Sequence, residues 1–86
     1  METIKRTYYP NGDIESIKYH INNELHRWDG PAVIWYYPNG QMEFKEHHIN
    51  GEWHQENGPA RIWYDKNGKM EREEYWENDE RKPNGA

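Results

Sequence analysis

The chain contains no cysteine and only one serine among its 86 residues. Without cysteine it has neither a disulfide framework nor a thiolate nucleophile. The single serine, Ser16, lies in a strand-like run with no nucleophile elbow around it. There is no run of about 18 apolar residues, and no apolar stretch follows the N-terminal charges, so neither a membrane span nor a signal peptide is predicted. These absences favour a cytoplasmic protein with no membrane partner.

Apolar residues are also scarce, at 33% of the chain, and acidic residues outnumber basic ones by 16 to 11. Five Trp and seven Tyr compensate, because each can bury a large ring while keeping a polar tip. The net charge of −5 opposes binding along a nucleic-acid backbone, which needs a basic patch, and opposes attraction to anionic lipid. It is compatible with a partner protein that has a basic surface, or with a role in solubility only.

A 28-residue repeat organises the chain. When residues 8–35 are aligned with residues 36–63, 16 of the 28 positions are identical, including Tyr-Tyr-Pro-Asn-Gly at the start and Gly-Pro-Ala near the end. A degraded third unit covers residues 64–85, and residues 4–7 supply the tail of an earlier unit. We therefore expect a single repeat domain over residues 1–86.

Turn residues divide each unit. The Asn-Gly pairs at 11–12, 39–40 and 67–68 indicate hairpins, because Asn and Gly tolerate the positive φ angles of tight turns. Between turns lie runs rich in aromatic and β-branched residues, such as 32–37, and mostly polar runs, such as 69–77. No segment shows a helical stripe. We predict an all-β fold, an antiparallel meander of β-hairpin repeats.

These residues resemble the MORN repeat. They are more similar still to the divergent MORN-like repeats of bacterial proteins, some of which are described as antitoxins. The string His-Arg-Trp-Asp-Gly-Pro-Ala at 26–32 looks like a subtype common in phage and large-virus proteins. The resemblance covers residues 4–85 and implies a single elongated, curved sheet with a scaffold or interaction role. The period is longer than is usual for such repeats, so extra residues sit around 25–30 and 53–58.

Binding candidates are sought where the repeats disagree. Trp28 corresponds to Glu56, and Trp53 corresponds to Leu25, so neither tryptophan is repeated. An exposed Trp28 would be a binding anchor, whereas Trp53 could instead belong to the core. The acidic stretch 71–82 is either a solvated terminal strand or a surface for a basic partner. The partner-binding candidates are Trp28, Trp53, Arg27, Glu56, Glu73, Glu74, Tyr75, Trp76, Glu77, Asp79 and Glu80.

Repeated side chains are interpreted as structural. Trp35 and Trp63 occupy the same position in successive units, as rings that pack on their counterparts do. Neutral imidazole is a common metal ligand, but two histidines make a weak site, and no established metal-binding motif is present. No metal site and no cofactor is predicted. The weak metal candidates are His20, His26, His48 and His54.

Catalysis has little support in the sequence. Glu73 and Glu74 are adjacent in a strand, so their carboxylates point to opposite faces, and no glycine loop could hold a phosphate. The chain is predicted not to be an enzyme. The leading hypothesis is a protein-binding module, such as a small phage or bacterial inhibitor (an anti-defence protein or an antitoxin) that blocks its partner through an acidic, aromatic surface. The alternatives are a small-ligand or metal binder that uses the repeated His and Trp28, and a self-assembling structural protein, for which open sheet edges predict a homodimer.

Overall fold

The structure is a computed structural model that describes residues 1–83, so the last residues of the predicted third unit, Asn84 and Gly85, lie outside the described residues. Within residues 1–83 the regular elements are strands, and no helix is present. The strands are β1 (Glu2–Tyr8), β2 (Ile14–Ile21), β3 (Glu24–Leu25), β4 (Val33–Tyr36), β5 (Met42–Glu46), β6 (His48–Ile49), β7 (Glu52–Trp53), β8 (Arg61–Tyr64), β9 (Met70–Glu77) and β10 (Glu80–Lys82).

Eight of these strands form one antiparallel sheet in the order β1-β2-β4-β5-β8-β9-β10, with β3 beside β2. β6 and β7 form a separate two-stranded ladder. Each unit contains a main hairpin (β1-β2, β4-β5 or β8-β9) followed by a short second one (β2-β3, β6-β7 or β9-β10). The molecule measures 40 × 34 × 16 Å, so the sheet is a thin, open layer. The predicted all-β meander of antiparallel hairpins is confirmed.

The turns adopt the backbone conformations that their residues favour. The main hairpins each place a glycine at positive φ, between 86° and 94°, at Gly12, Gly40 and Gly68. The second hairpins each place an asparagine at φ of 50° to 52°, at Asn22, Asn50 and Asn78. Both residue types tolerate this left-handed region better than other residues do. The sequence repeat is therefore also a repeat of backbone geometry.

Tyrosine hydroxyl groups join successive units. Tyr9 donates to the carbonyl oxygen of Tyr36 at 2.5 Å, and Tyr37 donates to that of Tyr64 at 2.7 Å. The next equivalent position holds Asp65, whose carboxylate accepts hydrogen bonds from backbone N–H groups of its own turn. The tyrosine link is thus made twice, and the third position caps a turn instead.

Two of the repeated histidines also join units. Nδ1 of His26 accepts the backbone N–H of Asn50 at 2.8 Å, and Nδ1 of His54 accepts that of Asn78 at 3.2 Å. In the neutral ring, an accepting Nδ1 leaves the proton on Nε2. These histidines therefore have a structural task at the second hairpin of the following unit.

Three rings form a stack across one face of the sheet. Trp35, Phe44 and Trp63 lie opposite one another on neighbouring strands, with ring centroids 6.4 and 6.2 Å apart and nearly parallel planes. Lys18 and Arg72 lie over the outer rings, at 5.6 Å from Trp35 and 4.9 Å from Trp63. Such cross-strand pairs each contribute roughly 0.2–1 kcal/mol. The repeated tryptophans therefore stabilise the sheet.

A row of charged residues lies beside this stack, which we name the carboxylate row: the half-buried Glu46 and Arg61 and the buried Glu74. Arg61 Nε donates to Glu46 at 2.8 Å, and its Nη1 donates to Glu74 at 3.3 Å. Glu74 is only 3% exposed, and it also accepts the indole N–H of Trp76 at 3.0 Å and a bond from Arg72. Burial alone would raise the pKa of Glu74, but these donors outweigh it and lower the pKa.

Candidate binding surface

Two loops at overlapping repeat positions in successive units form ridges on one face of the sheet. The first ridge is residues 27–30, whose repeat equivalents are 55–58, and the second ridge is residues 54–57. The Arg27 guanidinium lies 4.0 Å from the ring centroid of Tyr19 in β2, which places the first ridge above that strand. The backbone N–H of Arg27 donates to the carbonyl of His48, and the equivalent Gln55 donates to that of Trp76. Both ridges are therefore fixed at their base to the following unit.

The ridges divide this face into three troughs. The first trough lies between β1 and the first ridge, the second between the two ridges, and the third beyond the second ridge, with volumes of about 450, 630 and 120 Å³. Their floors are made by residues at the same repeat positions, which are Tyr19 and Ile21, His47 and Ile49, and Tyr75 and Glu77. The troughs are therefore one feature that occurs three times.

Trp28 lies on the first ridge and is 76% exposed. It lines both the first and the second trough, and its ring meets that of His26 edge-on at 4.7 Å. The equivalent residue on the second ridge is Glu56, which is exposed and lies 3.7 Å from Nε2 of His54. A large exposed ring between two cavities is typical of an interaction surface.

The lining of the first trough includes two histidines whose rings are not fully hydrogen-bonded within the described residues. Among the described residues, Nδ1 of His20 and Nε2 of His26 are buried ring nitrogens without a hydrogen-bond partner. Nε2 of His26 carries the proton, because Nδ1 is the acceptor for Asn50. An unmet buried polar group costs roughly 1–3 kcal/mol. Burial, with the charges of Lys5 and Lys18, lowers the pKa of His20 and keeps its ring neutral.

The charge that the troughs present is mainly negative. Arg27 is already engaged, since it lies over Tyr19, 3.4 Å from Asp29, and donates to the carbonyl of Pro31 at 3.2 Å. Lys82 is the other cationic residue of the three linings. The acidic residues that line the troughs are Glu2, Asp29, Glu56 and Glu77.

The structure brings five of the sequence-predicted candidates to this face. Arg27, Trp28 and Glu56 are on the ridges, and Tyr75 and Glu77 line the third trough. Trp76 also borders that trough, but its indole lies on the opposite face, where it donates to Glu74 and packs on Trp53. The sequence missed the floor residues Tyr19 and His47, although both directly precede the second hairpin at one repeat position. It also missed Asp29, which lines both larger troughs beside Trp28.

The other candidates lie elsewhere. Trp53 is half-buried, with its ring 4.7 Å from that of Trp76 and 4.3 Å from the guanidinium of Arg61, as its core alternative predicted. Glu74 is buried in the carboxylate row and is not available to a partner. Glu73 accepts the hydroxyl of Tyr75 at 3.3 Å. Asp79 accepts the backbone N–H of Trp53 at 2.7 Å, and the exposed Glu80 pairs with Lys82 at 3.4 Å.

Residues 1–83 contain no group of three or more His, Asp or Glu side chains placed to hold a metal ion. Over the same residues, no helix is long and apolar enough to cross a bilayer.

Three segments of the chain, residues 1–22, 32–50 and 60–78, match a family model described as a MORN repeat variant. Each segment contains one main hairpin and the start of the turn that follows. The ridges, residues 27–30 and 54–57, fall between the matched segments. No curated protein and no solved structure matches the chain.

Proposed function

The chain belongs to the MORN repeat variant family, and we propose that it is a non-enzymatic protein-binding module whose partner occupies the three troughs. Repeats of this family are generally non-enzymatic and form binding or structural modules. Trp28 is the observation that carries the proposal. Because it is 76% exposed, it adds little to the core, whereas a tryptophan buried in an interface often carries much of the binding energy.

The electrostatics of the site favour a basic partner. The acidic residues Glu2, Asp29 and Glu56 stand around the two larger troughs, and the whole chain has a net charge of −5. Complementary charge accelerates association and excludes partners of like charge. Direct binding to nucleic acid is disfavoured by the same charge.

Occupation of a partner's functional site by this chain would block that site. We extend the proposal to an inhibitor of a phage or bacterial protein, of the anti-defence or antitoxin kind, that acts in the cytoplasm. The acidity of the chain and the lack of a nucleophilic constellation in the sequence support this extension.

Self-assembly is disfavoured by the residues at the two edges. Ala32 and Ala60 directly precede the first strand of a main hairpin, and both are completely buried. The equivalent residue in β1 is the larger Ile4. At the other edge, Asp65 and Lys82 replace the tyrosine and the histidine that join units. A second copy added in the repeat register would therefore lack both links, and binding to a different protein is favoured over a homodimer.

Capture from a lysate of the source organism tests the proposal. The wild-type chain is compared with Trp28→Ala and with the control Met70→Ala, which removes a 49% exposed side chain outside the troughs. We expect the wild type and the control to retain the same protein, and Trp28→Ala to retain at least about tenfold less, as for a residue at the centre of an interface. Equal retention by all three chains would contradict the proposal. Melting curves should show that both variants are folded, since exposed substitutions change stability by about 0.5 kcal/mol or less.

A further inference from the structure

We infer that the partner segment is a polyproline II helix with basic residues, which crosses the strands and enters successive troughs. This inference rests on the proposed function and names the chemistry of the partner. It depends on the spacing of the troughs, on the rings that line them and on their charge.

The spacing of the troughs matches the pitch of this helix. Each unit contributes two strands of the main sheet, and neighbouring strands lie about 4.8 Å apart, so the troughs recur about every 9.6 Å. A polyproline II helix has three residues per turn and rises about 3.1 Å per residue, which gives about 9.3 Å per turn. Every third residue can therefore face a trough while the two residues between pass over a ridge.

Other regular segments do not fit this spacing. A β-strand presents side chains to one face about every 6.6 Å, and an α-helix has a pitch of about 5.4 Å. Neither spacing matches that of the troughs, so the side chains of a β-strand or an α-helix no longer coincide with the troughs after one unit. A polyproline II segment keeps its register from the first trough to the third.

Aromatic rings line each trough. The first trough has Tyr19 and Trp28, the second has Trp28 with two imidazoles, and the third has Tyr75. Proline-rich segments dock in aromatic-lined grooves because proline rings pack on aromatic faces and the helix is already ordered before binding. The exposed face of Trp28 is placed to contact two successive turns of such a helix.

The polar groups of the site complement the same segment. The residues that pass over the ridges lie beside Asp29 and Glu56, which favour arginine or lysine there.

Synthetic peptides test the inference on the intact chain. The probes are a nine-residue peptide of three Pro-Arg-Pro units and a control of three Gly-Arg-Ser units, which has equal length and charge. Calorimetry should give a Kd at least about tenfold lower for the proline peptide, since its conformation is ordered in advance. Affinity should fall at each step when the proline peptide is shortened to two units and then to one, because each unit loses a trough.

Variants and competition separate the outcomes. Trp28→Ala should reduce the affinity for the proline peptide to that for the control peptide, and Met70→Ala should leave it unchanged. Equal binding of the two peptides would show that charge alone is recognised, and absence of binding to both would also overturn the inference. If the lysate partner is lost with Trp28→Ala but the proline peptide neither binds nor displaces it, the inference fails while the proposed function stands.

Discussion

Removing the charge of Glu74 should destabilise the sheet at its last main hairpin. The carboxylate is 3% exposed and accepts hydrogen bonds from Arg61 in β8 and from Trp76 in its own strand. Glu74→Gln keeps the volume but removes the charge of the acceptor. The bond from Trp76 then becomes neutral, and the bonds from Arg61 and Arg72 each lose one of their two charges. A hydrogen bond to a charged group contributes roughly 1.5–3 kcal/mol, and a neutral one roughly 0.5–1.5. A loss of about 1 kcal/mol for the Trp76 bond and about 0.5 kcal/mol for each arginine bond gives about 2 kcal/mol, or about 8–16 °C in Tm for a chain of this size.

The pH dependence distinguishes charge from shape. Because the folded-state pKa of Glu74 is lowered below its ordinary 4.5, the stabilisation is complete above pH 4.5 and is lost as the pH falls through the folded-state pKa. Urea unfolding should therefore show the full difference between wild type and Glu74→Gln near pH 6, and a difference that shrinks as the pH falls through the folded-state pKa. Glu71→Gln, an exposed change in the same strand, should alter stability by less than about 0.5 kcal/mol. A difference that stays constant with pH, or an equal cost for both variants, would refute the reasoning.

Three further changes test the packing between units. Tyr37→Phe removes a hydroxyl that donates to the next unit, so it should lower the free energy of unfolding, measured in urea, by about 0.5–1.5 kcal/mol. The control Tyr8→Phe, at an exposed position, should leave this free energy almost unchanged. An equal loss in the two variants would contradict the prediction. Burial lowers the pKa of both His20 and His47, so below pH 6.5 the unfolded chain takes up protons first and stability falls. Replacing His20 and His47 by Gln should make Tm fall less steeply as the pH decreases from 6.5 toward their folded-state pKa values. If the dependence of Tm on pH is unchanged in this variant, the two histidines do not cause it. Ala60→Leu, in a fully buried site, should cost about 1–3 kcal/mol by denaturation, and an unaltered midpoint would show that the site has spare room.

The hairpin meander was predictable because the turns are specified locally. Asn-Gly at 39–40 needs only its own backbone preferences to form a tight turn, and the structure has Gly40 at φ 89°. The first strand was harder to recognise. The sequence indicated only the tail of a unit at 4–7, whereas β1 spans Glu2–Tyr8 and pairs along its whole length with β2. As an edge strand it is exposed throughout and carries charged residues where β4 has apolar ones, so the repeat comparison finds little identity there.

The candidate site was predictable only in part. Trp28 stood out because its repeat equivalent is Glu56, and the structure places both on ridges. Trp53 also has no tryptophan at its repeat equivalent, but it packs against Trp76. Glu74 lies within an acidic segment of the sequence, but its side chain is buried. Alternation along a strand tells which residues share a face, but it does not tell which face a loop covers. The loop above Tyr19 depends on contacts between units, which a single unit's sequence does not specify.

The ridges separate recognition from folding in this chain. Their bases are fixed by backbone hydrogen bonds, from Arg27 to His48 and from Gln55 to Trp76, which any non-proline residue could make. Their tops carry Trp28 and Glu56, whose exposed side chains contribute little to stability. Changes at the tops can therefore alter the chemistry of two troughs at once without disturbing the sheet beneath. This arrangement explains why the two full units share their Pro-Asn-Gly turn and their linking tyrosine and histidine while their ridge tops differ.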